Sequence, residues 1–330
     1  MYSFSIPDSN LVRPINRCII KTMKAHPEWF YSDFFIDSAY GCPPDCIWNG
    51  NREQKTPRFT PKDNWGELIA GFYKGFNISY RLTFTNFMLK PEHLDDEYGN
   101  YIAKEISKYK GMGIVSTPMM YEYILKHYPD LDISWSTTTN FGATDEERIK
   151  KINELSQDRV VVVPYHLNGD EYLQQMKHPE NIEVLVNEEC IDNCPKRVEH
   201  ERLSNLFNLG QLDAPPKCLM QNLKKTDKWT CHSIIGRERM KKLEKMGITR
   251  FKLSGRLIMD QVIGGYMYYF VLPKHRDEVI DSINKFYQEI LCDLGILKRG
   301  VYYPNVMLIK GLKYCDGHLK TLQRWGGPEE

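Results

Sequence analysis

Arg159-Val160-Val161-Val162-Val163-Pro164-Tyr165 is the stretch from which the fold follows. An unbroken run of valines has no polar face, so it reads as a strand covered on both sides, as in a parallel sheet flanked by helices. A helical stretch follows at residues 169–177 and a second apolar run at 182–187. The same alternation extends in both directions. Strands are expected at residues 2–6, 31–40, 77–86, 113–117, 132–138 and 251–253. Helices are expected at 14–24, 101–109, 119–127, 236–246 and 274–294. Pro14 suits the first turn of the first helix. Thr144 caps another, whose early acids (Asp145, Glu146, Glu147) suit the positive end of the helix dipole. Eight strand–helix alternations without internal repeats predict an α/β fold, a (β/α)8 TIM-type barrel over residues 1–300. A short C-terminal extension, residues 301–330, carries Trp325 and Gly326-Gly327; it is expected to cross the barrel bottom or mediate self-association.

Composition narrows the function classes. Of 330 residues, 42% are hydrophobic, enough for a sizeable core, and 44 basic against 43 acidic residues leave a formal charge of +1. No global field therefore recruits nucleic acid or an anionic membrane. The N-terminus has neither a basic nor an apolar signal region, and no apolar run approaches the ~18 residues of a membrane span. The chain reads as soluble and cytoplasmic, where its nine cysteines stay reduced.

The run Glu188-Glu189-Cys190-Ile191-Asp192-Asn193-Cys194-Pro195-Lys196-Arg197-Val198-Glu199-His200 follows directly on the strand at 182–186. Strand ends are where a barrel keeps its chemistry. Two thiols stand four positions apart there, and Cys218 and Cys231 follow. Clustered thiols in a reducing compartment point to a metal or cluster rather than to disulfides. Three ligand sets compete. Cys190, Cys194, Cys218 and Cys231 make an all-thiolate set suited to a 4Fe–4S cluster. In the second set, Cys42 or Cys46, from the proline-rich loop at residues 41–64, replaces one late cysteine. The third is structural zinc with His200 or His232. Zinc knuckles are usually tight in both halves, and here only one half is, so iron–sulfur leads. Cys18 and Cys292 read as core packing. The second long loop is expected at residues 203–230.

The other strand ends bring Asp37, Tyr40, Thr85, Asn86, Ser116, Thr138, Tyr165, His166, Lys252, Ser254 and Arg256 to the same rim, a polar collection suited to a small polar ligand. In Phe251-Lys252-Leu253-Ser254-Gly255-Arg256 the glycine lets backbone approach a ligand and the arginine holds a carboxylate bidentately. Arg256, with Asn86 and His166, is expected to anchor an anionic ligand. Glu188 or Glu189 is the candidate general acid/base, and strand alternation turns one of them away. There is no Gly-rich phosphate loop, no His-Glu-x-x-His and no Cys-x3-Cys-x2-Cys.

Val186-Asn187-Glu188-Glu189-Cys190, then Asn193-Cys194-Pro195-Lys196-Arg197 through His200, then Cys218, then the stretch from Gly247 to Arg256, resembles the peptidase U32 family. The resemblance covers about residues 1–295, with specific motifs between 186 and 256. It implies a catalytic barrel. Members were first labelled collagenase-like proteases. Others are oxygen-independent hydroxylases of ubiquinone precursors or of tRNA and ribosomal RNA bases, with four cysteines on a 4Fe–4S cluster and prephenate as hydroxyl source. Cys190, Cys194 and Cys218 match the family pattern, and Cys231 is the fourth candidate. The length and neutral charge place the chain nearer the compact branch. The expected function is an iron–sulfur hydroxylase or related redox enzyme acting on a small molecule or an RNA base, alone or as a homo- or hetero-oligomer. The alternatives are a U32-type peptidase and a zinc-bearing scaffold subunit. No Ser-His-Asp order supports hydrolysis.

Overall fold

β1 (Tyr2–Pro7) pairs in parallel with both β2 (Phe34–Gly41) and β8 (Arg250–Lys252), and that double pairing closes the sheet. The computed structural model describes residues 1–9, 12–50, 66–188, 190, 194–217, 234–255, 259–293 and 322–324. Its strands follow in chain order around a closed barrel of eight: β3 (Ser79–Phe84), β4 (Met112–Val115), β5 (Asp132–Trp135), β6 (Val161–Val163) and β7 (Ile182–Leu185) complete it. The expected (β/α)8 barrel is therefore the fold.

The helices are α1 (Arg13–Ala25), α2 (Phe72–Lys74), α3 (Glu97–Ser107), α4 (Pro118–His127), α5 (Asp145–Leu155), α6 (Asp170–Leu173), α7 (Arg197–Asn208), α8 (Arg237–Lys245), α9 (Met259–Tyr269) and α10 (Arg276–Asp293). Their starts are set locally. Pro14 occupies the first turn of α1, and Asp96 caps α3 by accepting from the Gly99 N–H at 2.6 Å. Thr144 and Glu147 form a reciprocal capping box on α5. Three expectations need revision. The helix expected at 169–177 shrinks to α6. The loop expected from 203 contains the second half of α7, up to Asn208. An unanticipated helix, α9, spans the Gly264-Gly265 pair. In the extension, Leu322 is fully buried in the main core.

The barrel wall sorts side chains by alternation. On β3, Tyr80, Leu82 and Phe84 join the outer core under the helices, whereas Arg81 and Thr83 face the lumen. A barrel interior is ordinarily filled by branched apolar residues. Here its middle is ionic. The register sets Ser5, Arg81, Ser134 and Glu183, from the four odd-numbered strands, at one level. Arg81 Nη1 donates to Glu183 Oε1 at 3.0 Å, and Nη2 donates to Asp37 Oδ2 at 2.5 Å. Ser5 Oγ donates to Glu183, and Lys252 Nζ stands 3.8 Å from the same carboxylate. Asp37 reaches the arginine because the β1–β2 register slips by one residue beside it, a bulge that re-aims its side chain.

Candidate functional site

Above this ionic floor the strand ends are tied to one another. Asn187, just beyond β7, accepts the Ser254 N–H on Oδ1 at 2.7 Å, and its carbonyl accepts the Ser254 hydroxyl at 2.9 Å. Gln261, on α9, donates to the Asn187 carbonyl at 2.8 Å and to Ser254 Oγ at 2.9 Å. All three are buried, so the ends of β7 and β8 are fixed. Gly255 follows with φ of +124°, and a Cβ there would stand 2.8 Å from Val262. Its missing side chain thus serves the turn onto α9, a structural reason that the Ser-Gly-Arg pattern did not reveal.

Cys190 lies on this rim. Its N–H donates to Glu188 Oε1 at 3.1 Å, and its side chain packs against Val162, Tyr165 and Leu185 of the lumen. Burial pushes the Cys190 thiol up; the Arg197 guanidinium works against that, Glu188 works with it, and the Tyr165 hydroxyl is within hydrogen-bonding reach of the sulfur. Arg197, in the first turn of α7, sets its guanidinium carbon 4.4 Å from the centre of the Tyr165 ring. Its Nε lies 2.8 Å from Glu201 Oε1. Burial disfavours the arginine's charge, but Glu201 and Glu188 outweigh it and keep the cation charged. Cys194 sits at the foot of α7, where its carbonyl accepts the Arg197 N–H at 3.1 Å. It is close enough for its charge to bear on Cys190. The sequence carried Arg197 only as a flanking cation and Tyr165 only as a rim residue; that they meet over one thiol depends on the turn after β6.

Of the remaining expected site residues, Asn86 is committed elsewhere. Asn86 Nδ2 donates to the carbonyls of Ile47 at 2.8 Å and Asn205 at 3.2 Å, and Oδ1 accepts the Met88 N–H at 3.0 Å. Both amide protons therefore hold the loop after β2 and α7 to the end of β3, and in this arrangement neither faces a ligand. His166 lies on the turn after β6 with its ring 6.1 Å from that of Tyr165, edge to face. Glu188 is buried beside Cys190. Cys218, Cys231, Glu189 and Arg256 lie outside the described residues. Cys42 and Cys46 are buried in the main core, where they bear on the Tyr98 phenol of α3. Cys190 instead packs with the separate lumen cluster. On the β4–β5 side, the Ser134 hydroxyl at the ionic level and the Ser116 hydroxyl just beyond β4 are buried without a partner among the described residues.

Among the described residues no three His, Cys, Asp or Glu side chains gather as metal ligands. Two of the four thiols expected to act together are described, and both stand at the rim. No helix among the described residues is long and apolar enough to cross a membrane. No family model matches the chain, and no curated protein matches it. A solved structure of the U32 peptidase Mk0906 is similar over 77% of this chain and 94% of that one, at 18% identity and a TM-score of 0.46.

Proposed function

We propose that the rim beyond β7 carries a 4Fe–4S cluster on Cys190, Cys194, Cys218 and Cys231. The enzyme would then be an oxygen-independent hydroxylase, or a related redox enzyme, of a small molecule or an RNA base. The observation that carries the reading is the half-buried Cys190 thiol beside the Arg197 cation, with the half-buried Cys194 next to it, at the end of one barrel strand. A cation beside thiolates favours an anionic cluster. Among the described residues, Ile234 pairs antiparallel with Asn187 at the end of β7. When bound, such a cluster supplies one-electron transfer at the mouth. The chain's own groups would do the rest. Arg256 binds a carboxylate-bearing donor such as prephenate, the Asn187–Ser254–Gln261 tie holds the rim rigid, and Glu188 moves a proton.

Peptide hydrolysis at Cys190 has less support. Among the described residues, the groups bearing most on its thiol are Arg197, Glu188, Tyr165 and Cys194, and none of these four is the imidazole base that a thiol nucleophile uses. The test is the absorption spectrum of anaerobically purified protein. A broad visible band that dithionite bleaches, and that Cys190→Ser abolishes while circular dichroism is unchanged, is the expected result. A colourless protein that cannot be reconstituted with iron and sulfide would refute the reading.

A further inference from the structure

We infer that Tyr165 and Arg197 are positioning residues for the Cys190 sulfur, which they use to set the reduction potential of the centre that this thiolate holds. The inference rests on the iron–sulfur reading of the site. Pro164 ends β6, and the chain turns through a short 3-10 turn, Tyr165–Leu167. Asn168 closes that turn, and its Nδ2 donates to the Leu185 carbonyl of β7 at 3.0 Å. The turn is therefore fastened to the strand that leads to the thiols. Tyr165 is buried, with only Val162, Leu185 and Cys190 in its cluster. The Arg197 guanidinium covers its ring at 4.4 Å, and Glu201, one helical turn on, fixes that guanidinium at 2.8 Å. A phenol clamped between a cation and the lumen wall has its hydroxyl beside the Cys190 sulfur.

Hydrogen bonds to cluster sulfurs and nearby positive charge stabilise the more negative, reduced state, and so raise the potential. Neither residue is a ligand in this arrangement: the hydroxyl addresses the sulfur, and the arginine acts through the ring and through its charge. Tyr165→Phe keeps the ring and removes the hydroxyl, both as donor to the sulfur and as acceptor from Arg197.

The experiment is a redox titration of the anaerobic protein, followed by electron paramagnetic resonance, with iron and sulfide measured on the same samples. Tyr165→Phe should retain wild-type iron and sulfide, and its reduction equilibrium should shift roughly tenfold toward the oxidised form, about 59 mV more negative for one electron. Arg197→Gln should shift it the same way. An unchanged potential in Tyr165→Phe at full iron content overturns this inference and leaves the cluster reading standing. Loss of iron from a folded Tyr165→Phe also overturns it, because a sulfur donor is not a ligand. If Tyr165→Phe does not fold, Arg197→Gln decides by the same criteria. Wild-type protein without iron or sulfide overturns both readings together.

Discussion

Arg81 is an arginine in the middle of a fully covered strand, 1% exposed, and it is stable there because two carboxylates meet it. Removing one partner of such a buried group strands the others, at a cost of about 3–5 kcal/mol. Arg81→Met should lower unfolding stability by that amount in urea titrations, and Arg81→Met with Glu183→Leu should recover most of it. Additive losses in that cycle would show that the two side chains are not coupled. Glu183 gives the ion layer a pH signature. Burial would raise its pKa, but Arg81 and Lys252 overcome burial and hold it below the ordinary carboxylate value. A depressed carboxylate stabilises the fold above its unfolded pKa of about 4.3, and that contribution disappears as pH falls through the folded value. The stability gap between wild type and Glu183→Gln should therefore be constant above about pH 5 and narrow in stronger acid. A gap that widens on acidification would contradict the assignment. On the proposed reading, Arg256→Ala should weaken binding of a carboxylate donor by about 2–5 kcal/mol, as for a desolvated pair, and leave iron content unchanged. Calorimetry with prephenate reads the first and metal analysis the second. Iron loss from a folded variant would make Arg256 a structural residue.

Between elements, the tie joining β7, β8 and α9 is polar and buried, so its members cannot be exchanged for water. Gln261→Ala leaves the Asn187 carbonyl and the Ser254 hydroxyl each short of a donor, which should cost about 1–3 kcal/mol and lower the melting temperature. A melting temperature equal to wild type would mean that the tie does not hold the rim. This scale also shows what the sequence disclosed. The valine run at 160–163 and the apolar run at 182–186 needed no tertiary information, because a strand covered on both faces is apolar throughout. α7 was concealed since its buried face includes Ser204 and Asn205, which carry no hydrophobic period. Its stop signal was nonetheless present, for Gly210 takes φ of +74° just past the end. α9 was concealed for the opposite reason. Val262, Ile263, Tyr266, Met267, Tyr268 and Tyr269 are all buried, so it has no polar face to give a period. The ion layer was partly legible in Tyr80-Arg81-Leu82-Thr83-Phe84. Strict alternation on a strand of a parallel barrel means that the polar set faces the lumen. Which partners meet Arg81 there depends on the β1–β2 bulge, and a bulge leaves no mark in the residue pattern.

Over the whole molecule, a closed barrel with an ionic middle places its strand-end mouth above a buried ion layer. The thiols of Cys190 and Cys194 stand at the mouth, and those of Cys42 and Cys46 stand in the outer core beside α3. Closure also explains how β3 and β7 residues 102 positions apart share a buried ion pair. The central claim, that four thiols gathered beyond β7 hold an iron–sulfur cluster, is tested most directly by iron, zinc and acid-labile sulfide analysis of anaerobically purified protein. Wild type would be compared with serine variants of Cys42, Cys46, Cys190, Cys194, Cys218 and Cys231. The account predicts about four iron and four sulfide per wild-type chain, as a 4Fe–4S cluster contains. It predicts loss of both in the Cys190, Cys194, Cys218 and Cys231 variants and retention in those of Cys42 and Cys46. Zinc without sulfide in the wild type, or iron that depends on Cys42 or Cys46 and not on Cys231, would contradict it.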